Sequence, residues 1–335
     1  MFLLTGKTEP CTRWTRDAEK KSQGRTLLME LQPNGAFATA GFSLKNKVIY
    51  WSKQMKNFYD TTDIPCFGVA GNFTGHLEQA GEAIDFKNIK TAEKNAPKAI
   101  FPTYVPAGSV VPPFLTVYPF NSQKIIFPKD EVKLQIEPEC AVIFDAVWQG
   151  DTLTSLTPVC FGASNDCSIR KQGAKKISEK KNWGPCSKGF SSNQIAANGF
   201  DSGCIFDNYR IASFLIRDNK VYAYGENSAV RDYSYIYKKL TDWMLEKFNG
   251  QKDEGPAEDI HSYLIAAGRP QRILVSIGAT RYTEWGETNF LQNNDKAVVV
   301  VYPEAKYTPE QIFNMVQAED FADKAVSALV QTICT

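Results

Sequence analysis

The sequence has only two histidines, His76 and His261, among its 335 residues. A zinc site built from several histidines is therefore excluded. The eight cysteines include no Cys-X-X-Cys pair and have no regular spacing. We expect free thiols, several of them buried as small apolar residues.

Charge of one sign is not in excess either. Lysine and arginine total 38 and aspartate and glutamate total 37, which gives a net charge of +1. Such a balance produces no overall field for nucleic acid or an anionic membrane. A short basic run at residues 174–181 is the candidate nucleic-acid patch, but without interleaved aromatic residues the favoured interpretation is a solvated loop.

Long apolar runs are also missing. No run approaches the length of about 20 residues that crosses a bilayer. The apolar stretch at residues 1–4 is too short for a signal peptide. We therefore expect a cytoplasmic protein with neither a membrane nor a nucleic-acid partner.

Composition and turn signals suggest two unequal parts. Hydrophobic residues make up 43% and aromatic residues 12%, as in ordinary folded proteins. Residues 1–62 are predicted to be a partly irregular N-terminal extension with a hairpin at 27–42, where Asn34-Gly35 forms the turn. Residues 63–335 are predicted to form the main domain.

Within this domain, hydrophobic periodicity predicts both strands and helices. Strands are expected at 66–70, in short segments over 113–136, from Glu137 onward, at 153–160, across 203–224 with a turn at Asp218-Asn219, and at 273–277 and 297–301. Helices are expected from the glycine-rich turn to Glu82, at 230–249, at 257–267, and from Thr308 to about residue 333, the last opened by a capping box.

Two carboxylates stand out at the start of an apolar, β-branched run. Glu137 and Glu139 are two residues apart, so in a strand both side chains point to one face. Like charges that close need a proton or a cation between them. With Asp166 as a third donor, the set suits a hard ion such as Mg²⁺, Mn²⁺ or Ca²⁺. The alternative is solvated surface charge followed by an ordinary turn.

His76 is the candidate general base, because carboxylates follow it closely in the chain at Glu78 and Glu82. The alternative is a surface histidine at a helix start. His261 is interpreted as a surface or packing residue on a helix.

Taken in order, six motifs resemble the pattern of the fumarylacetoacetate hydrolase superfamily over residues 64–303. They are Asn72-Phe73 with His76, Glu137 with Glu139, Asn165-Asp166 with Ser168 and Arg170, Trp183 with Lys188 and Phe190, Gly278 with Thr280, and Leu291 with Asp295.

The resemblance implies an α+β fold with a mixed β-roll or β-sandwich core and peripheral helices, and a homodimer. It implies a divalent ion, Mg²⁺ first, held by Glu137, Glu139 and Asp166, and a 2-oxo acid or 1,3-dicarbonyl substrate. Hydrolysis of a carbon–carbon bond is the expected reaction.

It also implies roles for the remaining residues of the site. Lys188 would neutralise the developing enolate and His76, with Glu78 as its neighbour, would deprotonate water. A substrate carboxylate or the metal-bearing loop would be held by Arg170, Gly278 and Thr280.

The sequence departs from the family pattern at several positions. Gln79 stands where the family has a glutamate, and an amide cannot orient a histidine as a carboxylate does. The segment Gly278-Ala279-Thr280 is one residue longer than the family's Gly-Thr. Lys181 competes with Lys188 for the same role. Decarboxylation, isomerisation, dehydration, or a metal-binding module without the chemistry therefore remain as alternatives.

Overall fold

A computed structural model describes residues 59–335 apart from positions 88, 90, 131, 132 and 172. The predicted extension at 1–62, with its hairpin at 27–42, lies almost entirely outside the described residues. No helix among those described is long and apolar enough to cross a membrane.

Fourteen strands and five α-helices follow one another along the described chain. The strands are β1 (Cys66–Ala70), β2 (Ala99–Tyr104), β3 (Lys124–Ile126), β4 (Leu134–Gln135), β5 (Pro138–Gln149), β6 (Thr152–Asn165), β7 (Ser168–Ile169), β8 (Gly189–Phe190), β9 (Ile195–Ala196), β10 (Tyr209–Arg217), β11 (Lys220–Ala229), β12 (Arg272–Ala279), β13 (Lys296–Pro303) and β14 (Ser327–Cys334). The α-helices are α1 (His76–Gln79), α2 (Tyr237–Gly250), α3 (Ile260–Ala266), α4 (Glu284–Thr288) and α5 (Pro309–Ala318).

The strands form two large mixed sheets and one small one. The first sheet has the order β2-β1-β12-β5-β6-β8, with β9 also paired to β6. The second has the order β11-β10-β13-β14-β3, and β4 pairs with β7 in a two-stranded sheet. Parallel pairs occur at β1–β12 and β14–β3, and the other pairs are antiparallel.

The two large sheets pack face to face around one apolar core. Phe161 of β6 lies 5.0 Å from the Tyr209 ring of β10, and the backbone N–H of Ala163 donates to Ser327 Oγ across the sheets at 2.9 Å. Helices cover the outer faces: Phe248 of α2 packs edge-on against Phe67. The α+β class with a β-sandwich core and peripheral helices is confirmed.

The longest apolar runs belong to strands covered on both sides. In β13 the residues from Ala297 to Tyr302 are all buried, because α5 covers the face opposite the core. Such strands read as continuous hydrophobic runs rather than as an alternation. The turn predicted at Asp218-Asn219 is confirmed, and both residues have left-handed φ values of 51° and 60°, as hairpin turns of this length require.

The predicted C-terminal helix is correct at its start and wrong at its end. Thr308 and Gln311 form the capping box, but α5 ends at Ala318 and β14 occupies residues 327–334. Buried and partly exposed residues alternate along β14. This period of two indicates a strand and favours pairing with β13.

The helix predicted at 230–249 begins at Tyr237, seven residues later than expected. Tertiary contacts with Asn72 fix the preceding segment in another conformation. The Asn72 side chain accepts from the N–H of Tyr235 at 2.8 Å and donates to the carbonyls of Tyr235 at 2.9 Å and Ile277 at 2.7 Å. Asn72 thus joins the loop after β1 to the segment before α2 and to β12.

Replacing Asn72 with alanine should therefore destabilise the protein by about 3 kcal/mol, because it removes three buried hydrogen bonds and leaves their backbone partners unsatisfied. Urea unfolding followed by circular dichroism measures the change. Asn95→Ala, at an exposed position, is the control and should alter stability by less than about 0.5 kcal/mol. Equal effects of both substitutions would contradict this role of Asn72.

Candidate metal centre

The β5–β6 hairpin brings three carboxylates to one end. Pro138 pairs with Asn165 and Glu139 with Ser164, so Glu137 and Asp166 lie just beyond the paired residues. The N–H of Asp166 donates to the Glu137 carbonyl at 3.0 Å and closes this end. Ligand oxygens of Glu137, Glu139 and Asp166 all lie within 4.8 Å of one another. The structure thus brings together the three residues that the sequence predicts as metal ligands.

All three carboxylates are buried, with 1–3% of each residue exposed. Burial of an isolated charge is very costly, so buried ions are paired or bind metals. Solvated surface charge, the alternative considered from sequence, is therefore excluded.

Positive side chains enter this cluster from the segment before β8. Lys181 Nζ lies 2.5 Å from Glu137 Oε2 and 2.7 Å from Asp166 Oδ2. Lys188 Nζ lies 2.9 Å from Asp166 Oδ1 and donates to the Cys167 carbonyl. Both lysines are therefore in the site, and each occupies its own position.

The two glutamates differ in their protonation equilibria. Burial raises the pKa of Glu137, but Lys181 and Arg170 outweigh burial and hold this pKa well below its usual range. Burial and then the like charges of Asp166 and Glu137 raise the pKa of Glu139 well above its usual range. Glu139 is therefore the carboxylate that most needs a proton or an added cation.

The guanidinium of Arg170 contacts four side chains of the protein. Its guanidinium donates to Gln135 Oε1 at 2.6 Å, Glu82 Oε1 at 2.7 Å and the Tyr282 hydroxyl at 2.7 Å, and it pairs with Glu137 Oε1 at 2.7 Å. Through its ion pair with Glu137, Arg170 holds the residue that immediately precedes β5. Binding of a substrate carboxylate would require these contacts to break.

His76 lies at the N-terminus of α1, buried beside Glu137, Glu139 and Lys181 in a cavity of about 10 Å³. Its Nδ1 has no hydrogen-bond partner among the described residues. Burial lowers the pKa of His76, although the Glu137 charge acts in the opposite direction. The ring is thus neutral near pH 7 and can accept a proton.

Glu78, the predicted partner of His76, does not line the cavity that His76 lines. Glu78 is exposed on the other side of α1 and lines a separate surface pocket. The buried acid is Glu82, which lies beyond the end of α1, and it pairs with Arg170 and with Lys180 at 2.9 Å. The predicted helix to Glu82 is too long. The observed helix α1 ends at Gln79, and Gly81 follows with a left-handed φ of 70°. Gln79 bonds the backbone N–H and carbonyl of Tyr282 instead of His76.

Gly278 and Thr280 support the site through their backbones. The N–H of Gly278 donates to Glu139 Oε2 at 2.9 Å, where the β12–β5 pairing is irregular. Gly278 has φ 127°, and a Cβ there would meet Asn72 Cβ at 2.9 Å, so glycine is required. Thr280 is fully buried, and its Oγ1 has no partner among the described residues.

Sequence reasoning missed the burial of the basic run. Lys180 and Lys181 are 4% and 2% exposed, so interpreting the end of residues 174–181 as a solvated loop was wrong. The run ends in the 3₁₀ helix Ile177–Lys180, whose Ile177 is also buried. Nothing in the local sequence distinguishes these lysines from solvated ones. Tyr282, which holds Arg170, carries no sequence signal either.

Gln331 of β14 supports the carboxylate site from behind. Its Oε1 accepts from Asn165 Nδ2 at 3.0 Å, and its Nε2 donates to the carbonyls of Asn121 at 2.7 Å and Lys188 at 3.2 Å. A Cβ on Gly189 would lie 2.5 Å from the Gln331 amide. The two sheets are therefore connected directly behind Asp166.

The donor set fits a hard divalent ion. Three carboxylates without histidine or cysteine ligands favour Mg²⁺, Mn²⁺ or Ca²⁺, and burial together with the like charges of Asp166 and Glu137 raises the pKa of Glu139. The cavity of about 10 Å³ is of the size that one water or ion requires.

Comparison with known proteins gives a family and several distant structural matches. The sequence model of DUF5718, a family of unknown function, matches residues 82–333. The search of curated proteins found no match.

Three of the matched solved structures are Cg1458 with an inhibitor, 2-keto-3-deoxy-D-arabinonate dehydratase complexed with magnesium and 2,5-dioxopentanoate, and a protein of Yersinia pestis CO92 described as belonging to the fumarylacetoacetate hydrolase family. Their identities are 12%, 11% and 12% and their TM-scores 0.48, 0.46 and 0.44. Each match covers 81% of this chain, and 76%, 72% and 93% of the matched chains.

Glu258 holds the 3₁₀ helix Ile177–Lys180, which positions Lys180 and the residue that follows it, Lys181. The Ser178 hydroxyl donates to Glu258 Oε1 at 2.8 Å. Burial raises the pKa of Glu258 to about 7, although the Ser178 hydrogen bond and Lys176 act in the opposite direction. The folded state therefore binds this proton more tightly than the unfolded state.

The sign of the resulting pH dependence follows from linkage. Stability falls as pH rises from about 4.5, the unfolded value, to about 7, and the loss is complete above that pH. Glu258→Gln should remove this dependence and exceed wild-type stability at pH 8 by about 2 kcal/mol. Urea unfolding at pH 5 and pH 8 tests this, with the exposed Glu254→Gln as control. Parallel pH dependence in wild type and Glu258→Gln would contradict the assignment.

Proposed function

The chain belongs to the DUF5718 family, a family of unknown function, and we propose from its site that it is a metal-dependent enzyme acting on a 2-oxo acid or 1,3-dicarbonyl substrate. One observation carries this proposal: three buried carboxylates have oxygens within 4.8 Å of one another, and two of them, Glu137 and Glu139, line the same cavity as the buried His76. Carbon–carbon bond hydrolysis is the reaction that this arrangement supports best.

Glu137, Glu139 and Asp166 would hold the ion, and Mg²⁺ is the first candidate because every donor is a carboxylate oxygen. A divalent ion bound there supplies a Lewis acid that polarises the two oxygens of a chelating substrate. The N–H of Gly278 fixes the Glu139 carboxylate, and Arg170 fixes that of Glu137. Both ligands are thus oriented before an ion arrives.

His76 is assigned as the general base. Its neutral imidazole lies in the same cavity as Glu137 and Glu139, where it can take a proton from water that attacks the substrate carbonyl. The cavity of about 10 Å³ is too small for a 2-oxo acid. Substrate entry therefore requires residues that line this cavity to move.

Lys188 is assigned as the fixed positive charge. Its ammonium group is buried 2.9 Å from Asp166. Burial lowers the pKa of Lys188 and the Lys181 charge lowers it further, while Asp166 opposes both. A buried cation next to the metal ligands would stabilise negative charge that develops as the carbon–carbon bond breaks.

A second reaction class is favoured by Gln79. Its side chain holds the backbone of Tyr282 and leaves His76 without an orienting carboxylate. Decarboxylation or enol–keto isomerisation needs no activated water, so it places less demand on His76. A metal-binding module without turnover is the remaining alternative.

The metal site predicts cooperative binding of ion and chelating anion. Calorimetric titration of Mg²⁺ and Mn²⁺ into metal-stripped protein should show one site whose affinity rises when oxalate, an analogue of a 2-oxo-acid enolate, is present. The variant with Glu137→Gln and Glu139→Gln should lose the binding, because two of the three charged ligands are gone.

Glu284→Gln together with Glu310→Gln is a matched control, since both residues are at least partly exposed and far from the carboxylates in sequence. This control should bind metal as the wild type does. Metal binding that the site variant retains would show that the ion binds elsewhere.

Turnover on a panel of acylpyruvates tests the general base. His76→Ala should lower the hydrolysis rate by about 100-fold or more while leaving metal affinity unchanged. His261→Ala is the matched control, since His261 lies on α3 and its Nδ1 contacts the Phe248 carbonyl at 3.1 Å. An unchanged rate in His76→Ala would refute the assigned base. Decarboxylated or isomerised products would establish the second reaction class.

A further inference from the structure

Lys181 occupies an unusual place for a lysine in a metal site. Its ammonium group bridges two of the three candidate ligands, at 2.5 Å from Glu137 Oε2 and 2.7 Å from Asp166 Oδ2. The side chain is 2% exposed, and Nζ lies 5.1 Å from the centre of the Phe101 ring. A positive charge of the protein is thus already paired with two of the three carboxylates that would hold an ion.

With all of its carboxylates ionised, as metal ligands must be, this buried cluster already has a balanced formal charge. Four acids and four bases of the described chain interact there with side chains at most 9% exposed. The acids are Glu82, Glu137, Glu139 and Asp166, and the bases are Arg170, Lys180, Lys181 and Lys188. Adding a divalent ion would leave an excess of two positive charges in a desolvated space, which is unfavourable. One base must therefore move away.

Lys181 is the base best able to move. Arg170 is held by three further acceptors, and Lys188 also donates to the Cys167 carbonyl. Among the described residues, the polar partners of Lys181 Nζ are the two carboxylates themselves. Losing them to an ion leaves Lys181 without a competing attachment.

We propose that Lys181 and a divalent ion compete for Glu137 and Asp166, so that Lys181 sets the metal affinity and is displaced when the ion binds. This inference rests on the proposed metal site. In the metal-free protein, Lys181 keeps the buried carboxylates neutralised. The same residue makes the site selective against weakly bound ions, because each ion must replace an ammonium group.

The test is calorimetric Mn²⁺ affinity in Lys181→Met, compared with wild type. The variant should bind Mn²⁺ at least tenfold more tightly, at one ion per chain, because the ammonium group that competes for Glu137 and Asp166 is gone. Its metal-free thermal midpoint should fall, and Mn²⁺ should raise that midpoint more than it does in wild type.

Lys180→Met is the matched control. Lys180 is the neighbouring residue, is also buried, and pairs with Glu82 and Asp85 rather than with the three carboxylates. Its loss should change the Mn²⁺ affinity by less than threefold. Lys181→Arg keeps the charge and should keep the weaker binding.

Wild-type or weaker Mn²⁺ affinity in Lys181→Met would overturn the proposal, and so would equal gains in Lys181→Met and Lys180→Met. If Lys181→Met and Lys181→Gln do not fold without metal, Mn²⁺ should restore native circular dichroism, and failure to do so would also overturn it. Tighter binding without turnover on any substrate would uphold this inference and refute the proposed enzyme. Turnover in wild type with unchanged affinity in Lys181→Met would do the reverse.

Discussion

Three carboxylates within 4.8 Å of one another, away from water, can exist only if positive charge surrounds them. In this protein the three compensating groups all lie in the segment between β7 and β8. Arg170 follows β7, Lys181 follows a 3₁₀ helix, and Lys188 precedes β8. The tertiary structure around the β5–β6 hairpin is therefore tied to the electrostatics of its end.

Arg170 shows how this requirement organises the fold. Its guanidinium links Glu82 after α1, Gln135 in β4, Glu137 before β5 and Tyr282 after β12. The segment that carries His76 is thereby connected to the strand that carries the carboxylates. Structural stability and the proposed chemistry depend on the same charges here, so we expect substitutions at these positions to affect both.

The parts of the site that follow from local sequence could be predicted. Glu137 and Glu139 share a face because strand side chains alternate, and the capping box of α5 is set by Thr308 and Gln311. The sequence could not show which of Glu78 and Glu82 is buried in the site, since this depends on where a four-residue helix ends. The burial of Lys180 and Lys181 depends on acidic partners that are distant in sequence. A local run of charged residues does not indicate which partners these are.

Long-range contacts also explain where the secondary structure differs from the prediction made from local sequence pattern. Contacts with Asn72 delay the start of α2, and pairing with β13 makes residues 327–334 a strand. Both errors arose where two elements distant in sequence meet. The sequence motifs combine residues from both ends of such contacts, and three of those residues, Glu137, Glu139 and Asp166, lie close together in the structure.

Gln331 has a consequence for the way the protein is made. Its amide supports Asn165, next to Asp166, from 166 positions later in the chain. During synthesis the carboxylates emerge from the ribosome well before this support and before β14 exists. The site must then mature late, after the second sheet closes over the first, and the nascent hairpin carries its acidic residues in water until that step.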